Sequence, residues 1–130
     1  DRIGHGYAVV QDEVLMNRMR REKIHLECCP TSSIICNSVD HEGEWMKHPI
    51  AIFKQHALNY GINSDDPVVL NCQYQGEVDI IRRKCGFSKW DVALCWIRAA
   101  EASFLNDTEK RKLVQDVMSR IQVFYLNNAS

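Results

Sequence analysis

Two adjacent carboxylates, Asp65 and Asp66, stand at the end of a short apolar segment and directly before Pro67. The segment from Ala57 to Ile62 is β-compatible and only partly alternating, as in a brief strand buried in a larger sheet. Pro67 cannot donate a hydrogen bond to a neighbouring strand, so we expect pairing to stop there. Acids at the carboxyl end of a strand lie where α/β proteins bind ligands, and such close like charges need a cation, a proton or water. The alternative is an exposed turn, because Ser, Asp and Pro are common turn residues.

A histidine held between two glycines, His5, follows the short segment from Arg2 to Gly4. This pattern is typical of a chain that leaves a buried strand and turns sharply. We therefore expect His5 to project from the carboxyl end of a first strand. If the strands are parallel, His5 and the two aspartates lie on the face where the sheet opens to ligands.

The elements that would position these groups alternate between helix and strand. A surface helix is predicted from Gln11 to about Glu22, because its apolar positions share one helical face and its charges match the helix dipole. Ile24 to Cys28 alternates at period two and reads as the next strand. A helix is then predicted to begin at Pro49, ahead of the strand that ends at Ile62. This order predicts three adjacent strands of a parallel sheet covered by helices.

Between Thr31 and Lys47 the sequence is polar and irregular, which predicts a long loop that could cover a site. After Pro67 the pattern is helical to the end of the chain. We expect a first helix stopped by Gly86, a well-buried second helix from about Lys89 to Ser103 behind a capping box, and a last helix that turns one apolar stripe to the protein. That stripe consists of Leu113, Val114, Val117, Met118 and Ile121.

Composition and charge restrict the class of protein. The 130 residues are 45% hydrophobic and 25% charged, as in an ordinary globular domain with one core. The formal net charge of -1 lacks the basic surplus that nucleic acid or an anionic membrane would favour, so neither partner is expected. No apolar run approaches the roughly 20 residues that span a bilayer. The first five residues are unlike a signal peptide, and we expect them to lie inside a longer coding sequence.

The six cysteines lack the regular spacing of a small disulfide framework, and we expect them to be reduced core residues. A structural zinc finger is not expected, because Cys29 and Cys36, and likewise His41 and His48, enclose too many residues for ligand pairs. Two glycosylation sequons, at Asn106 and at residue 128, matter only in a secreted protein. We expect a cytoplasmic protein, with secretion as the alternative.

Four stretches, in order and at sensible intervals, resemble the carboxyl-terminal part of the adenosine deaminase family, and the likeness continues through residues 99–105 into the last helix. The four are Arg2-Ile3-Gly4-His5-Gly6, Glu27-Cys28-Cys29-Pro30-Thr31-Ser32, His48-Pro49 and Asn63-Ser64-Asp65-Asp66-Pro67. The resemblance implies a (β/α)8 TIM barrel that binds one zinc ion and replaces the 6-amino group of adenosine or deoxyadenosine with oxygen. Such a barrel takes about 250 residues. Residues 1–130 are therefore expected to form the carboxyl-terminal portion of a single barrel domain, with about its last three strands and no second domain.

The resemblance also implies three residue roles. Asp65 matches the family's metal ligand, Asp66 matches the aspartate that hydrogen-bonds the purine, and His5 matches the catalytic histidine that positions and stabilises the attacking hydroxide. The family's other zinc ligands and its glutamate acid would precede residue 1. We therefore expect the isolated segment to be inactive, and the rest of the barrel to come from the same polypeptide or a second chain.

Several alternatives remain open. Within the enzyme class the substrate could be adenine or adenylate. In a different class, the chain could be a catalytically silent, deaminase-like interaction module. His25 and Glu27 imitate the H-x-E signature of cytidine-type deaminases, but Pro30 is not followed by the required C-x-x-C, so we expect an ordinary strand. The remaining histidines and the tryptophans are expected to be structural; they are His41, His48, His56, Trp45, Trp90 and Trp96.

Overall fold

Three short parallel strands form the centre of the chain. The computed structural model describes residues 1–39 and 44–127. Strands β1 (Arg2–Gly4), β2 (His25–Cys28) and β3 (Tyr60–Ile62) lie side by side in sequence order, as predicted. The helices are α1 (Glu13–Glu22), α2 (Pro30–Ile35), α3 (Pro49–Gln55), α4 (Tyr74–Lys84), α5 (Lys89–Glu101) and α6 (Asp107–Asn127), with short 3₁₀ turns at Tyr7–Gln11 and Trp45–Lys47.

Helix ends follow the side chains that cap them. Asp12 accepts a hydrogen bond from the amide of Leu15 and opens α1. Lys23 takes the left-handed conformation that closes it. The capping box predicted ahead of α5 is confirmed, because Ser88 and Asp91 bond each other's backbone amides.

The two faces of the sheet differ in chemistry. Residues in register share a face, so Leu26 and Tyr60 point to the side where the apolar core lies. The core continues through fully buried Phe53 and Ile81 on α3 and α4. Burying side chains of this size stabilises the fold by about 1.5–3 kcal/mol each, so the core holds the strands in place.

The opposite face of the sheet is polar. Gly4, Glu27 and Gly61 lie in register on this face. Gly61 has a specific packing reason, since a Cβ there would lie 3.0 Å from Nε2 of His25. The glycine in the last strand therefore makes room for a buried imidazole.

The prediction of an irregular loop between Thr31 and Lys47 was wrong at both ends of the stretch. Its first residues belong to α2, in which Pro30 occupies the first turn, and its last residues form a 3₁₀ turn. Proline is pre-shaped for a helix start, which explains why a polar sequence is helical here. His41 lies outside the described residues, so its structural role stays a prediction.

The prediction that a helix begins directly after Pro67 was also wrong. The chain makes a single turn, with the Leu70 amide bonded to the Asp66 carbonyl, and Asn71 then takes a positive φ of 48°. That left-handed residue ends the turn, so α4 begins only at Tyr74.

Helix α5 is less buried than its composition predicted. Trp90 is 53% exposed and Trp96 is 40% exposed. Strand β3 and helix α6 cover only part of the circumference of α5. On α6 the predicted stripe buries Ile121 but leaves Met118 53% exposed.

The cysteine prediction is confirmed in part. All six thiols are free, and Cys28, Cys29, Cys85 and Cys95 are buried. Cys36, at the end of α2, is exposed, and Cys72 is half-buried ahead of α4. Neither of these two is a core residue, because both lie in connections on the surface. No helix within residues 1–39 and 44–127 is long and apolar enough to cross a membrane.

Candidate active site

A cleft of about 360 Å³ opens at the carboxyl ends of the three strands. Residues that end or follow all three strands contribute to it. Its lining consists of Gly4, His5, Glu27, Cys29, Asn63, Ser64, Asp65 and Tyr74. Parallel α/β sheets bind ligands at this edge, so the cleft is the first candidate for a functional site.

His5 and Asp65 meet in this cleft, as their strand-end positions predicted. Nε2 of His5 lies 3.6 Å from Oδ2 of Asp65. Their side chains are 32% and 41% exposed, so both remain open to a ligand. Each residue also has a positive φ, 41° for His5 and 60° for Asp65, which turns the chain sharply as it leaves the strand.

The carboxylate of Asp65 is held by a side chain that sequence reasoning missed. The Ser32 hydroxyl donates a hydrogen bond of 2.5 Å to Oδ2 of Asp65. No hydrogen bond among the described residues uses Oδ1 of the same carboxylate. Ser32 lies on α2, directly after β2. Its position just beyond a strand end was the one feature of the sequence that could have marked it as a site residue.

Asp66 lies beside the cleft but does not line it. Its Oδ1 accepts hydrogen bonds of 3.1 Å from the amides of Val68 and Val69, which closes the turn after β3. The described hydrogen bonds leave Oδ2 of Asp66 unused. Its substrate-binding role stays a prediction.

Cys29 is a third potential donor that sequence reasoning assigned only to the core. Ligand atoms of His5, Cys29 and Asp65 all lie within 4.8 Å of one another. Burial, followed by the nearby charges of Asp65 and Glu77, raises the pKa of the Cys29 thiol to about 12. In the absence of a metal the thiol is therefore protonated at neutral pH, and it would have to lose this proton in order to bind an ion.

Together these donors fit one side of a zinc site. Imidazole nitrogen, carboxylate oxygen and cysteine sulphur are the ligand types that zinc takes in proteins. A zinc site needs about four ligands, of which the described residues supply three at most. A complete site thus requires donors from outside this cluster.

A second histidine lies at the other end of β2, away from the cleft. His25 is fully buried, and its Nδ1 lies 3.0 Å from Oδ1 of Asn59. Burial lowers the pKa of His25, so its ring is neutral at pH 7. It does not line the cleft, whereas Glu27 lines it and pairs with Arg2. The apparent H-x-E signature is therefore an ordinary strand pattern, as expected.

The parallel strands, their covering helices and the polar cleft at their carboxyl ends define a segment of a (β/α)8 barrel. The family model for adenosine deaminase matches residues 1–120. Adenosine deaminase of Rattus norvegicus is 33% identical over 125 residues, which are 94% of this chain and 34% of the rat protein. The chain therefore belongs to the adenosine deaminase family.

Solved structures agree with the fold. The adenine deaminase of Arthrobacter aurescens superimposes with a TM-score of 0.81 at 26% identity, over 93% of this chain and 36% of that one. A zinc-bound amidohydrolase from B. ambifaria gives a TM-score of 0.88 over 99% of this chain and 35% of that one, although its 19% identity shows the fold alone. The chain spans about a third of the length of the relatives it matches. It forms about the last three strands of the barrel and the helices that follow.

Proposed function

We propose that these residues belong to a zinc-dependent deaminase that converts adenosine or deoxyadenosine to inosine or deoxyinosine in purine metabolism. The meeting of His5 and Asp65 carries this proposal. They come from the first and third of the described strands, yet Nε2 and Oδ2 lie 3.6 Å apart in one cleft. An imidazole beside a carboxylate with a free oxygen is an arrangement that can hold a metal and steer a water molecule.

The reaction adds the oxygen of water to C6 of the purine and breaks the bond between C6 and its amino nitrogen, which leaves as ammonia. Bound zinc lowers the pKa of a coordinated water from about 16 to about 7. Asp65 would hold the ion through its carboxylate. Nε2 of His5 would position the attacking water by a hydrogen bond. Oδ2 of Asp66 would accept a hydrogen bond from the purine and so hold C6 in line, and such positioning supplies much of a rate enhancement.

The charges of the cleft favour a nucleoside over a nucleotide. Among the described residues that line it, Glu27 and Asp65 are acidic and no lysine or arginine contributes. Lys47, in the segment before α3, is paired with Glu44 at 3.3 Å. A phosphate-bearing substrate needs cationic or strongly donating partners, so adenylate is disfavoured on these residues.

Adenine is the second candidate substrate. The solved structure from A. aurescens that resembles this chain is an adenine deaminase. Adenine and adenosine carry the same C6 amino group, so either would present it to His5 and Asp65.

The direct experiment uses the complete protein that contains residues 1–130. Its metal content is measured, and ammonia release is followed with adenosine, deoxyadenosine, adenine and adenylate. The proposal expects about one zinc per barrel and turnover of the nucleosides. A metal-free protein that deaminates none of the four would instead support a catalytically silent interaction module.

We further propose that residues 1–130 all belong to the carboxyl-terminal portion of one barrel domain, with no second domain inside this range. The outer edges of β1 and β3 have no strand partner among the described residues. Open strand edges favour pairing with further strands. The preceding strands would come from the same polypeptide or from a tightly bound second chain.

A further inference from the structure

The short helix α2 follows the second strand directly, and the residues at its start are hydrogen-bonded to two other elements. The amide of Cys29, just before the helix, donates to the Tyr7 hydroxyl at 2.8 Å. The amide of Thr31 donates to Oε2 of Glu77 at 2.9 Å. Tyr7 and Glu77 are both buried and lie on different elements, so the start of α2 is fixed from two sides.

The middle of α2 is tied to a third element. The Ser33 hydroxyl donates to the Pro30 carbonyl at 2.7 Å and lies 2.8 Å from Nε2 of His48. His48 is fully buried, and its other ring nitrogen accepts from the amide of Ile50 at the start of α3. The first half of α2 is therefore held by hydrogen bonds to three other elements, through Tyr7, Glu77 and His48.

One hydroxyl of this fixed helix is directed at the cleft. Ser32 is only 4% exposed, and its hydroxyl donates to Oδ2 of Asp65 at 2.5 Å. An O–H bond to a carboxylate at this distance belongs to the strong, charge-assisted class. The bond engages Oδ2 and leaves Oδ1 without a hydrogen bond among the described residues.

We propose that Ser32 is a positioning residue of the deaminase: by fixing Oδ2 of Asp65 it presents Oδ1 to the metal. This inference rests on the proposed role of Asp65 as a metal ligand. Asp65 is 41% exposed in its side chain and follows a strand end, so the carboxylate would rotate among several orientations without this bond. Groups that orient a metal ligand in this way typically contribute about 10–100-fold in metal affinity or activity.

The test measures zinc affinity of the complete protein by competition with a chelator, together with its kinetics at saturating zinc. Ser32→Ala should weaken zinc binding by about 10–100-fold. At saturating zinc it should lower kcat while leaving KM within about twofold, because Ser32 touches the metal ligand and not the purine. Ser32→Thr keeps the hydroxyl and should restore most of the affinity.

Ser38→Ala is the matched control, since it removes a hydroxyl from the same segment that donates to the Ser33 carbonyl and not to the cleft. It should bind zinc like the parent protein. Thermal unfolding of the metal-free variants separates a loss of stability from a loss of ligand orientation. Zinc affinity of Ser32→Ala within about twofold of Ser38→Ala would overturn the inference.

Asp65→Asn distinguishes this inference from the proposed function. The asparagine keeps the shape of the side chain and an acceptor for Ser32 but lacks the negative charge. Unchanged zinc affinity in Asp65→Asn would reject Asp65 as the ligand and would defeat both ideas. Lost affinity in Asp65→Asn beside normal affinity in Ser32→Ala would defeat the Ser32 inference alone.

Discussion

The two ends of the central sheet place a histidine in opposite surroundings. At the carboxyl edge His5 is half-exposed, lines a cleft and lies 3.6 Å from the carboxylate of Asp65. At the amino end of β2 His25 is fully buried. Its ring contacts Asn59 and fills the space that a side chain at position 61 would otherwise occupy. Residue type alone therefore does not separate a functional histidine from a structural one. The strand end at which the histidine lies does separate them, because parallel strands open to ligands only at their carboxyl edge.

Among the changes at the two ends of the sheet, replacing His5 should have the largest effect, and that effect should be on turnover. In the complete protein His5→Ala should lower kcat by about 10²–10⁴-fold, the range for loss of a group that manages a proton or steers a nucleophile. Zinc content should stay near that of the parent, because we propose that His5 positions the attacking water while Asp65 holds the metal. Metal analysis and steady-state kinetics on one preparation provide the check. Turnover within threefold of the parent would remove His5 from the mechanism.

Replacing His25 should have the reverse profile. His25→Ala leaves a cavity beside Gly61 and removes the ring contact of Asn59, so the free energy of unfolding should fall by about 2–4 kcal/mol. The folded fraction should keep its kcat, since His25 does not line the cleft. Chemical denaturation and kinetics at a temperature where the variant is folded measure the two effects. A stable His25→Ala variant with greatly reduced turnover would show that His25, like His5, takes part in function.

Gly61 tests how tightly His25 is packed. In Gly61→Ala the new Cβ would lie 3.0 Å from Nε2 of His25, and the resulting overpacking should cost about 1–3 kcal/mol of stability. Gly76→Ala in α4 is the matched control, because a Cβ there meets nothing within 4 Å. The control should stabilise the protein by about 0.5–1 kcal/mol through helix propensity. Thermal unfolding of both variants should shift in opposite directions; shifts in the same direction would contradict the packing account.

The smallest expected effect is a pH dependence of stability. Burial lowers the pKa of His25 in the folded state below its ordinary value of 6.5. The unfolded chain then binds more protons than the folded chain as the pH falls through about 6.5, so stability should decrease from pH 7 to pH 5. His25→Asn removes this titration and should flatten that part of the curve. An equally steep decrease in the variant would assign the effect to other groups.

The fold and the positions of His5 and Asp65 could be predicted from the sequence because the patterns that mark them involve neighbouring residues. His5 between two glycines and Asp65 before Pro67 both mark points where the chain must leave a strand. Ser32 was missed because a serine in a polar stretch has no periodicity, and its bond to Asp65 joins residues 33 positions apart. The late start of α4 depends on the left-handed backbone of Asn71, which a helical apolar spacing does not report.

Burial was predicted less well than helix position, and α5 shows the reason. Its capping box and its bounds follow from neighbouring residues. The exposure of Trp90 instead depends on how much of the helix β3 and α6 cover, which no local pattern records. For the same reason Cys29 was assigned to the core, although its thiol also lies within 4.8 Å of the ligand atoms of His5 and Asp65.

The neighbouring aspartates at the end of β3 should fail in different ways when they are replaced, and zinc content measured beside steady-state kinetics separates their roles. In the complete protein Asp65→Ala should lose zinc and activity together, and added zinc should restore part of both. Asp66→Ala should keep its zinc, yet kcat/KM should fall by far more than the roughly tenfold of one ordinary hydrogen bond. Equal zinc loss in both variants, or near-normal turnover in Asp66→Ala, would contradict the account.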